Sequence, residues 1–436
     1  MISKSEFARR RKSLMTKMGK GSVAIISAAP ERIRSRDTHY PYRQDSDFHY
    51  LCGFPEPEAV LVLIPGRREG TVILFCRERD KEREIWDGYR AGPEGACEQY
   101  GADEAFPIGD IDSRLPDLLE GKPRVYSAMG RDPVFDQQRM VWVNTLRAQA
   151  RTGAVPPSEF IDIEHLLHEG RLIKRPAELK LMRKAAKISA AAHCRAMRAA
   201  KPGVMEYQLQ ADIEHEFAVS GASFPAYTSI VGGGHNGCIL HYVENNKVLN
   251  DGDLVLIDAG CEYQYYAADI TRTFPVNGRF SPAQKALYEI VLAAQLAGIA
   301  AARVGNHWDD PHKATVSVIT KGLVSLGLLK GNVTKLIEDG AYSEFYMHRA
   351  GHWLGMDVHD VGDYKIAGKW RALEPGMVMT IEPGIYIAPD CEKVAEKWRG
   401  IGIRIEDDVL VGANGPEVLT AGVPKSVADI EALMMA

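Results

Sequence analysis

Two aspartates lie on apolar, strand-like runs, Asp258 in LVLIDAG and Asp269 in YAADITRTFPV. Facing residues of an antiparallel hairpin have a constant index sum, so a hairpin that opposes these aspartates would centre its turn on Tyr263 and Gln264. Opposed side chains have Cβ atoms about 4.5 to 5.5 Å apart, where like charges repel. Two anions in a mostly apolar strand pair shift their pKa values or destabilise the hairpin unless a cation lies between them. The pattern therefore predicts a divalent metal site.

A second pair of acids lies on two further strand-like runs near the end of the chain. Glu382 is in MVMTIEPGIYI and Glu406 is in GIGIRIEDDVLV. A single acid on a strand is usually solvated or held in a salt bridge. Four acids on two matching hairpins, each flanked by apolar residues, favour a shared metal site over four solvated side chains.

Histidines between the two predicted hairpins supply a second type of ligand. His348 and His352 lie in MHRAGHWLG, and His359 lies in MDVHDVG. A lone histidine is more often a core residue than a ligand, but three histidines this close together, just before an acid-bearing strand, favour a site. His241, in GCILHYVEN, precedes the first hairpin and could close the pocket from the other side.

Charge balance indicates how many ions such a site would hold. Two aspartates, two glutamates and one neutral histidine carry four negative charges, which two divalent cations would neutralise. In two-metal hydrolytic sites the ions lie roughly 3.5 to 4 Å apart and share bridging carboxylates. An oxygen-rich ligand set with a single imidazole favours Mn²⁺, although Co²⁺ or Zn²⁺ would also fit.

The composition is that of an ordinary globular chain long enough for two domains, with 436 residues, 45% hydrophobic and 25% charged. A net charge of -5 and a pI near 6.3 give no general attraction to nucleic acid or to an anionic membrane. The seven cysteines include no CxxC motif, which indicates a reducing, cytoplasmic location rather than a disulfide framework. The first residues lack the apolar core of a signal peptide, and the apolar stretch 290–302 is too short to cross a bilayer, so we expect no membrane role.

The chain divides into two predicted domains. Up to about residue 170, short β-like runs such as VAIIS and TVILFC alternate with charged helical segments, which is typical of an α/β domain. The segment ARTGAVPPSEF, 150–160, collects a glycine and two prolines, and Pro176 interrupts the chain again soon after. We therefore place the boundary between residues 155 and 176 and divide the chain into domains 1–170 and 171–436.

The sequence of the C-terminal domain predicts two helices and a hairpin, and then the same order again. Pro176 opens a long helix that ends before Pro202, and EYQLQADIEHEFAVSG forms the next. After the first hairpin, Ser281 is a predicted N-cap that forms a capping box with Gln284, and a further helix is predicted over about 311–327. This order predicts an internally duplicated α+β domain.

Five separated motifs resemble those of one known family, in the same order. IDAG, ADITRTFPV, HWLGMDVHDVG, TIEPGIY and GIRIEDD are together similar to the ligand motifs of the pita-bread metallopeptidases, and in particular of the bacterial Xaa-Pro aminopeptidases (aminopeptidase P). YPYRQDSDFHYLCGFPEPEAVLVL is similar to the N-terminal domain of those enzymes. The resemblance implies an α+β chain with a pita-bread catalytic domain at 171–436 and a smaller α/β domain, like that of creatinase and aminopeptidase P, at 1–170.

The resemblance also implies a reaction and a set of metal ligands. A hydroxide held between two divalent ions would attack the peptide bond between an N-terminal residue and a following proline. Asp258 would bind one ion, and His352 and Glu382 the other, whereas Asp269 and Glu406 would bridge both. The expected partners are peptides with proline in the second position and further copies of the chain, in a homodimer or homotetramer.

Other residues match positions that have catalytic or substrate-binding roles in that family. Glu382 would carry the proton, and His241 and His359 would stabilise the tetrahedral intermediate or hold the substrate. His348 and Arg404 would line the proline pocket. Arg404 is also two residues from Glu406 and so shares a strand face with it. A salt bridge to the acids is therefore an equal alternative to a place in the proline pocket.

Two residues of the N-terminal domain match positions that reach a neighbouring subunit's site. These are Trp86, in EIWDGYR, and Asp37, although an ordinary surface or core position explains either one as well. In the stretch 363–376 the basic residue that meets the substrate could be Lys369, Arg371 or neither.

Four alternatives differ from this interpretation. A prolidase has the same metal site but cleaves Xaa-Pro dipeptides alone. A methionine aminopeptidase fits less well, because this chain has a large N-terminal domain. A creatinase-like hydrolase keeps the fold without the ligand acids, and a non-catalytic pita-bread binding module lacks the five ligands that are present here.

Overall fold

The chain forms two compact units in the computed structural model, which describes residues 1–436. One unit comprises Ile2–Arg171, and the other comprises Leu172–Ala436 together with Met1. None of the helices combines the length and the apolar character that crossing a bilayer requires.

The N-terminal unit alternates helices and strands. Its helices are α1 (Lys4–Met18), α2 (Ser46–Cys52), α3 (Lys81–Asp87), α4 (Gly92–Tyr100), α5 (Ile111–Leu119), α6 (Pro133–Ala148) and α7 (Glu164–Leu172). Its strands are β1 (Ser22–Ser27), β2 (Ile33–Ser35), β3 (Thr38–His39), β4 (Val60–Leu63), β5 (Val72–Cys76), β6 (Glu104–Pro107), β7 (Arg124–Ser127) and β8 (Glu159–Asp162).

Six of these strands form one mixed sheet in the order β6, β5, β4, β1, β7, β8. β4 runs antiparallel to both of its neighbours, whereas β1 with β7, β7 with β8 and β5 with β6 are parallel pairs. The apolar runs that predict strands form β1, β4 and β5, and the last two are buried along their whole length, as expected for central strands. The predicted α/β class of this domain is confirmed.

The C-terminal unit contains longer helices and mostly antiparallel hairpins. Its helices are α8 (Pro176–Ala199), α9 (Glu206–Val219), α10 (Pro282–Ala301), α11 (Asp309–Ser325), α12 (Val333–Glu338) and α13 (Val427–Met435). Its first strands are β9 (Phe224–Pro225), β10 (Ile230–Gly233), β11 (Leu254–Asp258), β12 (Cys261–Tyr263), β13 (Tyr266–Ala267) and β14 (Thr271–Pro275). The later strands are β15 (Lys365–Ile366), β16 (Lys369–Trp370), β17 (Val378–Ile381), β18 (Gly384–Tyr386), β19 (Gly402–Arg404), β20 (Asp407–Gly412) and β21 (Gly415–Val418).

The helices begin close to their predicted positions because their N-termini carry local signals. The Ser281 hydroxyl accepts from the Gln284 amide, and the Gln284 side chain accepts from the Ser281 amide, which completes the predicted capping box of α10. The apolar sides of the helices pack on the hairpins, so that Ile257, Phe274 and Leu287 are fully buried in one cluster. Burial of each such side chain contributes about 1.5 to 3 kcal/mol before the entropy cost of ordering it.

The register of the first hairpin differs from the predicted one. Asp258 faces Thr271, not Asp269, because the turn lies on Gln264 and Tyr265, one residue later than predicted. Both turn residues have positive φ, 49° and 70°, a conformation that Asn-Gly usually signals and that Gln-Tyr does not. The index sum shifts by two, so the two aspartates stay on one face of the hairpin as diagonal neighbours. The prediction that they are directly opposed is wrong.

The second hairpin places its two acids opposite each other. Thr380 pairs with Asp408 in β17 and β20, and Gly384 pairs with Arg404 in β18 and β19. The residue numbers of facing residues have the same sum in both pairs of strands. The same register therefore places Glu382 opposite Glu406, between the two pairs of strands. The two halves of the duplicated domain therefore present their acids at equivalent points, where a strand is interrupted.

Candidate metal centre

One cavity of about 460 Å³ collects the predicted chemistry of the C-terminal unit. Nine of the predicted site residues line it, namely His241, Asp258, Asp269, His348, His352, His359, Glu382, Arg404 and Glu406. Aliphatic side chains complete the wall, among them Ile230, Leu240 and Val243. A cavity of this size and mixed lining is typical of small-ligand sites.

Three of these residues form the tightest cluster of possible metal ligands. One ligand atom from each of Asp269, His352 and Glu406 lies within 4.8 Å of the others, a spacing at which one divalent ion could contact all three. Asp269 and Glu406 are 5% and 2% exposed, so bulk water does not screen their charges. Thr271 donates to Glu406 Oε2 across 2.6 Å, which fixes that carboxylate from the neighbouring hairpin.

Tyr227 joins the two aspartates of the first hairpin, and the sequence analysis missed it. Its hydroxyl donates to Asp258 Oδ1 across 2.6 Å and also contacts Asp269 Oδ1. Burial and the charge of Asp258 raise the pKa of Tyr227 well above its usual value, so the phenol stays protonated. The hydroxyl has one proton and can donate to one carboxylate at a time. Because the phenol is neutral, it does not balance the negative charge of the two aspartates.

Arg404 provides the counter-charge for one of these acids. Its Nη2 lies 2.7 Å from Asp258 Oδ2, and the guanidinium also donates to Thr271 Oγ1 and to the Tyr386 hydroxyl. Burial works against ionisation of Asp258, but the charge of Arg404 and the hydrogen bonds outweigh it and lower the pKa of this carboxyl. Arg404 therefore forms the predicted salt bridge to the acids and also lines the cavity.

The remaining carboxylates resist ionisation in the absence of a further cation. Burial and then the charge of Asp258 raise the pKa of Asp269. Burial raises the pKa of Glu382 to about 7, against the opposing effect of His352, and raises the pKa of Glu406 well above its usual value. Such a cluster is stabilised by divalent cations, which favour the charged forms of all four acids at once.

The orientation of His352 fits a metal ligand. Its Nδ1 lies 2.9 Å from the Trp353 carbonyl, which can only accept, so Nδ1 carries a proton and Nε2 faces the acids. Nε2 lies 3.3 Å from Asp269 Oδ2 and 3.8 Å from Glu382 Oε1. Burial disfavours the imidazolium, but the hydrogen bond to Asp269 and the charge of Glu382 raise the pKa of His352 to about 9. A bound cation could take the place of the Nε2 proton.

A chain of hydrogen bonds fixes His348 in its neutral form. Nδ1 donates to the Arg349 carbonyl and Nε2 accepts from the Tyr386 hydroxyl, both across 2.8 Å, while that hydroxyl accepts from Arg404. Burial, followed by the charge of Arg404, lowers the pKa of His348 to about 4. The imidazole is therefore neutral at physiological pH.

Two further histidines are exposed to the cavity. The ring of His359 packs edge-on against His352 with 4.4 Å between centroids, and burial followed by the charge of His352 lowers the pKa of His359. His241 precedes the first hairpin in the chain, lines the same cavity and is exposed. Arg349, which no motif singled out, also lines the cavity beside His348.

The other predicted contact residues lie elsewhere in the chain. Trp86 on α3 is 84% exposed and Asp37, in the turn between β2 and β3, is exposed as well, both within the N-terminal unit. Lys369 is exposed on β16, whereas Arg371 is buried with 6% exposure. Neither of these two basic residues lines the cavity.

Each of the two units matches the model of a known protein family. Residues 180–413 match the model of metallopeptidase family M24, and residues 7–126 match the aminopeptidase P N-terminal domain. The chain belongs to metallopeptidase family M24. The chain is therefore a metallopeptidase with an α+β, pita-bread catalytic domain that follows a smaller α/β domain in the sequence, as predicted.

Individual M24 relatives are similar over the full length of the chain. The Xaa-Pro aminopeptidase of Escherichia coli is 50% identical over 100% of this chain and 98% of the relative. The structure of aminopeptidase PepP from Pseudomonas aeruginosa matches with a TM-score of 0.99 and 63% identity, covering 100% of this chain and 98% of that one. E. coli aminopeptidase P with the inhibitor Pro-Leu matches with a TM-score of 0.97 and 50% identity, over 100% and 98% of the two chains. The chain thus lies in the Xaa-Pro aminopeptidase branch of M24.

Proposed function

We propose that this protein is a dinuclear, manganese-dependent Xaa-Pro aminopeptidase that removes the first residue from peptides with proline in the second position. The observation that carries the proposal is the convergence of four carboxylates and one imidazole on a single cavity, in a chain whose relatives are named Xaa-Pro aminopeptidase. The raised pKa values of three of the acids support a need for bound cations.

Five residues would hold the metal, and they are Asp258, Asp269, His352, Glu382 and Glu406. Four carboxylates balance two divalent ions, and an oxygen-rich set with a single imidazole suits Mn²⁺. When bound, divalent ions lower the pKa of water and polarise the peptide carbonyl, so no covalent intermediate is needed.

The protein's own groups then bind the peptide and move the proton. Glu382 lies at the cavity wall, 3.8 Å from His352 Nε2, and would accept a proton from the attacking water and deliver it to the departing proline nitrogen. His241 and His359 line the cavity and would donate to the oxygen of the tetrahedral intermediate.

The proline ring would lie against the aliphatic wall beside His348. The peptide bond that precedes proline has no N–H. An apolar wall without hydrogen-bond acceptors therefore leaves no donor of this bond unpaired. The neutral His348, whose two ring nitrogens are already paired with the Arg349 carbonyl and the Tyr386 hydroxyl, would contact the proline ring through the face of its imidazole. The E. coli relative was solved with Pro-Leu as its inhibitor, which supports a proline subsite in this branch.

The assembly proposed for the chain is a homodimer or homotetramer. Ile85, Trp86 and Tyr89 on and beside α3 are 80%, 84% and 91% exposed, which is unusual for large apolar side chains clustered on one short helix. Contact of this surface with another copy of the chain would bury them, and Trp86 and Asp37 would then approach the partner's cavity.

The proposed location is the cytoplasm. All seven cysteines are free, and burial raises the pKa of the Cys52, Cys76 and Cys238 thiols to about 12, so these thiols are unreactive. A chain stabilised without disulfides suits a reducing compartment.

The proposal is tested with metal-stripped protein given Mn²⁺ and three peptides followed by mass spectrometry. An Xaa-Pro-Xaa tripeptide should lose its first residue, whereas the matched Xaa-Ala-Xaa tripeptide should remain intact. An Xaa-Pro dipeptide is the third substrate, because its cleavage without cleavage of the tripeptide would identify a prolidase. Loss of activity on metal removal and its return with Mn²⁺ are expected.

A further inference from the structure

A buried ion pair lies behind the loop that carries His359. Lys174 Nζ is 2.8 Å from Asp360 Oδ2, and about 1% of each side chain is exposed. The two residues are 186 positions apart in the sequence, so the pair joins distant segments of the C-terminal unit. Separation of two buried groups of opposite charge is costly, which makes the pair a strong restraint on both segments.

The restrained loop, residues 354–362, contains no helix or strand. Among its backbone hydrogen bonds, the Leu354 amide donates to the Val378 carbonyl at 3.0 Å and the Asp360 amide donates to the Trp353 carbonyl at 2.9 Å. His359 directly precedes Asp360 and extends into the cavity from this loop. The position of the imidazole therefore depends on how firmly Asp360 is held.

Two glycines let the segment 172–174 lie directly against the loop. A Cβ on Gly355 would lie 2.1 Å from Asp360 Oδ2 and 2.8 Å from Lys174 Cε. A Cβ on Gly362, which has φ of +133°, would lie 2.9 Å from Leu172 Cδ1. Both ends of the loop are thus built for close contact with this segment.

Lys174 is itself fixed by its place in the chain. It lies between α7 and α8, where the C-terminal unit begins, and its amide donates to the Gly376 carbonyl across 2.8 Å. The side chain does not line the cavity, so it has no direct contact with a bound peptide. An effect of this side chain on the reaction is therefore indirect, and its ion pair with Asp360 connects it to the loop.

We propose that Lys174 is a positioning residue for peptide hydrolysis, because its buried pair with Asp360 fixes the loop that presents His359 to the substrate. The inference rests on the proposed function, in which His359 acts on the intermediate. It assigns a role in the reaction to the segment that connects the two units of the chain.

A double-mutant cycle tests this coupling. Lys174→Met should lower kcat/KM for an Xaa-Pro-Xaa peptide by about 10- to 100-fold, the range expected when a catalytic group moves by about 1 Å. In a His359→Ala background the same change should have little further effect, because the group it positions is gone. Metal content, measured by elemental analysis, should remain that of the parent protein. Multiplicative losses in the double variant, or loss of metal from Lys174→Met, would overturn the proposal.

Hydrogen exchange gives a readout that does not depend on activity. Peptides covering 354–362 should exchange faster in Lys174→Met than in the parent, while peptides from α10 should not change. Unchanged exchange in the loop would contradict the proposal. Lys393→Met is the matched control, because Lys393 pairs with Glu344 on the surface with 76% of its side chain exposed and should leave both readouts unaltered.

The outcomes separate this inference from the proposed function. If the parent protein fails to cleave proline peptides but the loop exchanges faster in Lys174→Met, the function is wrong and the restraint is right. If His359→Ala is fully active while Lys174→Met is not, the positioning role is wrong and the peptidase function stands. Should Lys174→Met not fold, Asp360→Asn removes the charge with little change in shape and takes its place in the cycle.

Discussion

Arg404 Nη2 lies 2.7 Å from Asp258 Oδ2, and the same guanidinium donates to the Tyr386 hydroxyl at 3.0 Å. One fixed positive charge is thus aimed at one acid of the cluster, which lowers the pKa of Asp258 against the effect of burial. The other acids receive less compensation, since burial and neighbouring acids raise the pKa of Asp269 and of Glu406. The protein supplies part of the positive charge that its carboxylates need, and metal ions would supply the rest.

Replacement of Arg404 by lysine should impair the reaction although the charge is kept. A lysine cannot hold Asp258, Thr271 and Tyr386 together, because it lacks the planar fork of donors. We expect Arg404→Lys to reduce kcat/KM for Xaa-Pro-Xaa peptides by about 10- to 100-fold. Steady-state kinetics measure this, with the exposed Arg183→Lys as the control. Activity equal to that of the parent would show that the fork is not needed.

Replacement of Asp269 by asparagine should separate fold stability from metal binding. Burial and the charge of Asp258 raise the pKa of Asp269, so a neutral amide relieves repulsion and the metal-free protein should be at least as stable as the parent. Mn²⁺ at about 100 times its Kd should stabilise the parent by about 2.7 kcal/mol, and this gain should be largely lost in Asp269→Asn. Thermal unfolding with and without Mn²⁺ measures both effects. An undiminished metal shift would exclude Asp269 as a ligand.

His193 should make the metal-free protein less stable in mild acid. It is fully buried on α8, and burial lowers its pKa to about 4 from 6.5. The unfolded chain therefore takes up a proton between pH 6.5 and 4 that the folded chain does not, so stability present above pH 6.5 is lost as the pH falls. The loss amounts to roughly 3 kcal/mol for this group. Urea unfolding across this range should show a flatter profile for His193→Gln, whose amide can still donate to the Ala259 carbonyl. Parallel profiles would contradict this assignment.

Arg272 should be the most costly buried cation to replace near the site. It is 0% exposed, and it donates to Asp407 Oδ1 at 2.7 Å and to the Glu406 carbonyl at 2.5 Å. A lysine keeps the charge but cannot make all of these bonds at once, so buried acceptors would lose donors, at a cost of about 1 to 3 kcal/mol each. Arg183→Ala, which breaks a half-exposed pair with Glu417, should cost about 1 kcal/mol or less. Similar urea midpoints for Arg272→Lys and the parent would show that Lys425 and the nearby hydroxyl suffice for Asp407.

Much of the fold could be predicted because its signals are local. Pro176 and the capping box at Ser281 mark helix starts, and buried apolar runs mark the strands. The register of the first hairpin was harder to predict, because Gln264 and Tyr265 adopt positive φ although neither is a residue type that usually signals such a turn. The error did not move the aspartates to another face, since the shift was even. Both aspartates therefore still line the same cavity, although the predicted register was wrong.

The site was predictable to the extent that its residues lie in compact motifs. Each ligand candidate is flanked by apolar strand residues or by other histidines, so its neighbours reveal it. Tyr227 has no such context, and it reaches the acids because Pro225 pairs with Cys261 and Ile230 pairs with Asp258 on either side of it. Arg349 reaches the cavity because the loop turns there, which no periodicity shows. The inter-subunit roles of Trp86 and Asp37 stay predictions, since they depend on a second chain.

The most direct test of the central claim is a titration of metal-stripped protein with Mn²⁺, in which release of the first residue from an Xaa-Pro-Xaa tripeptide is measured at each step. A dinuclear mechanism predicts no hydrolysis without metal and a rate that saturates as two equivalents bind, whereas Asp258→Asn, folded like the parent, should stay inactive throughout. Full hydrolysis by the metal-stripped protein, or full activity of Asp258→Asn, would contradict it.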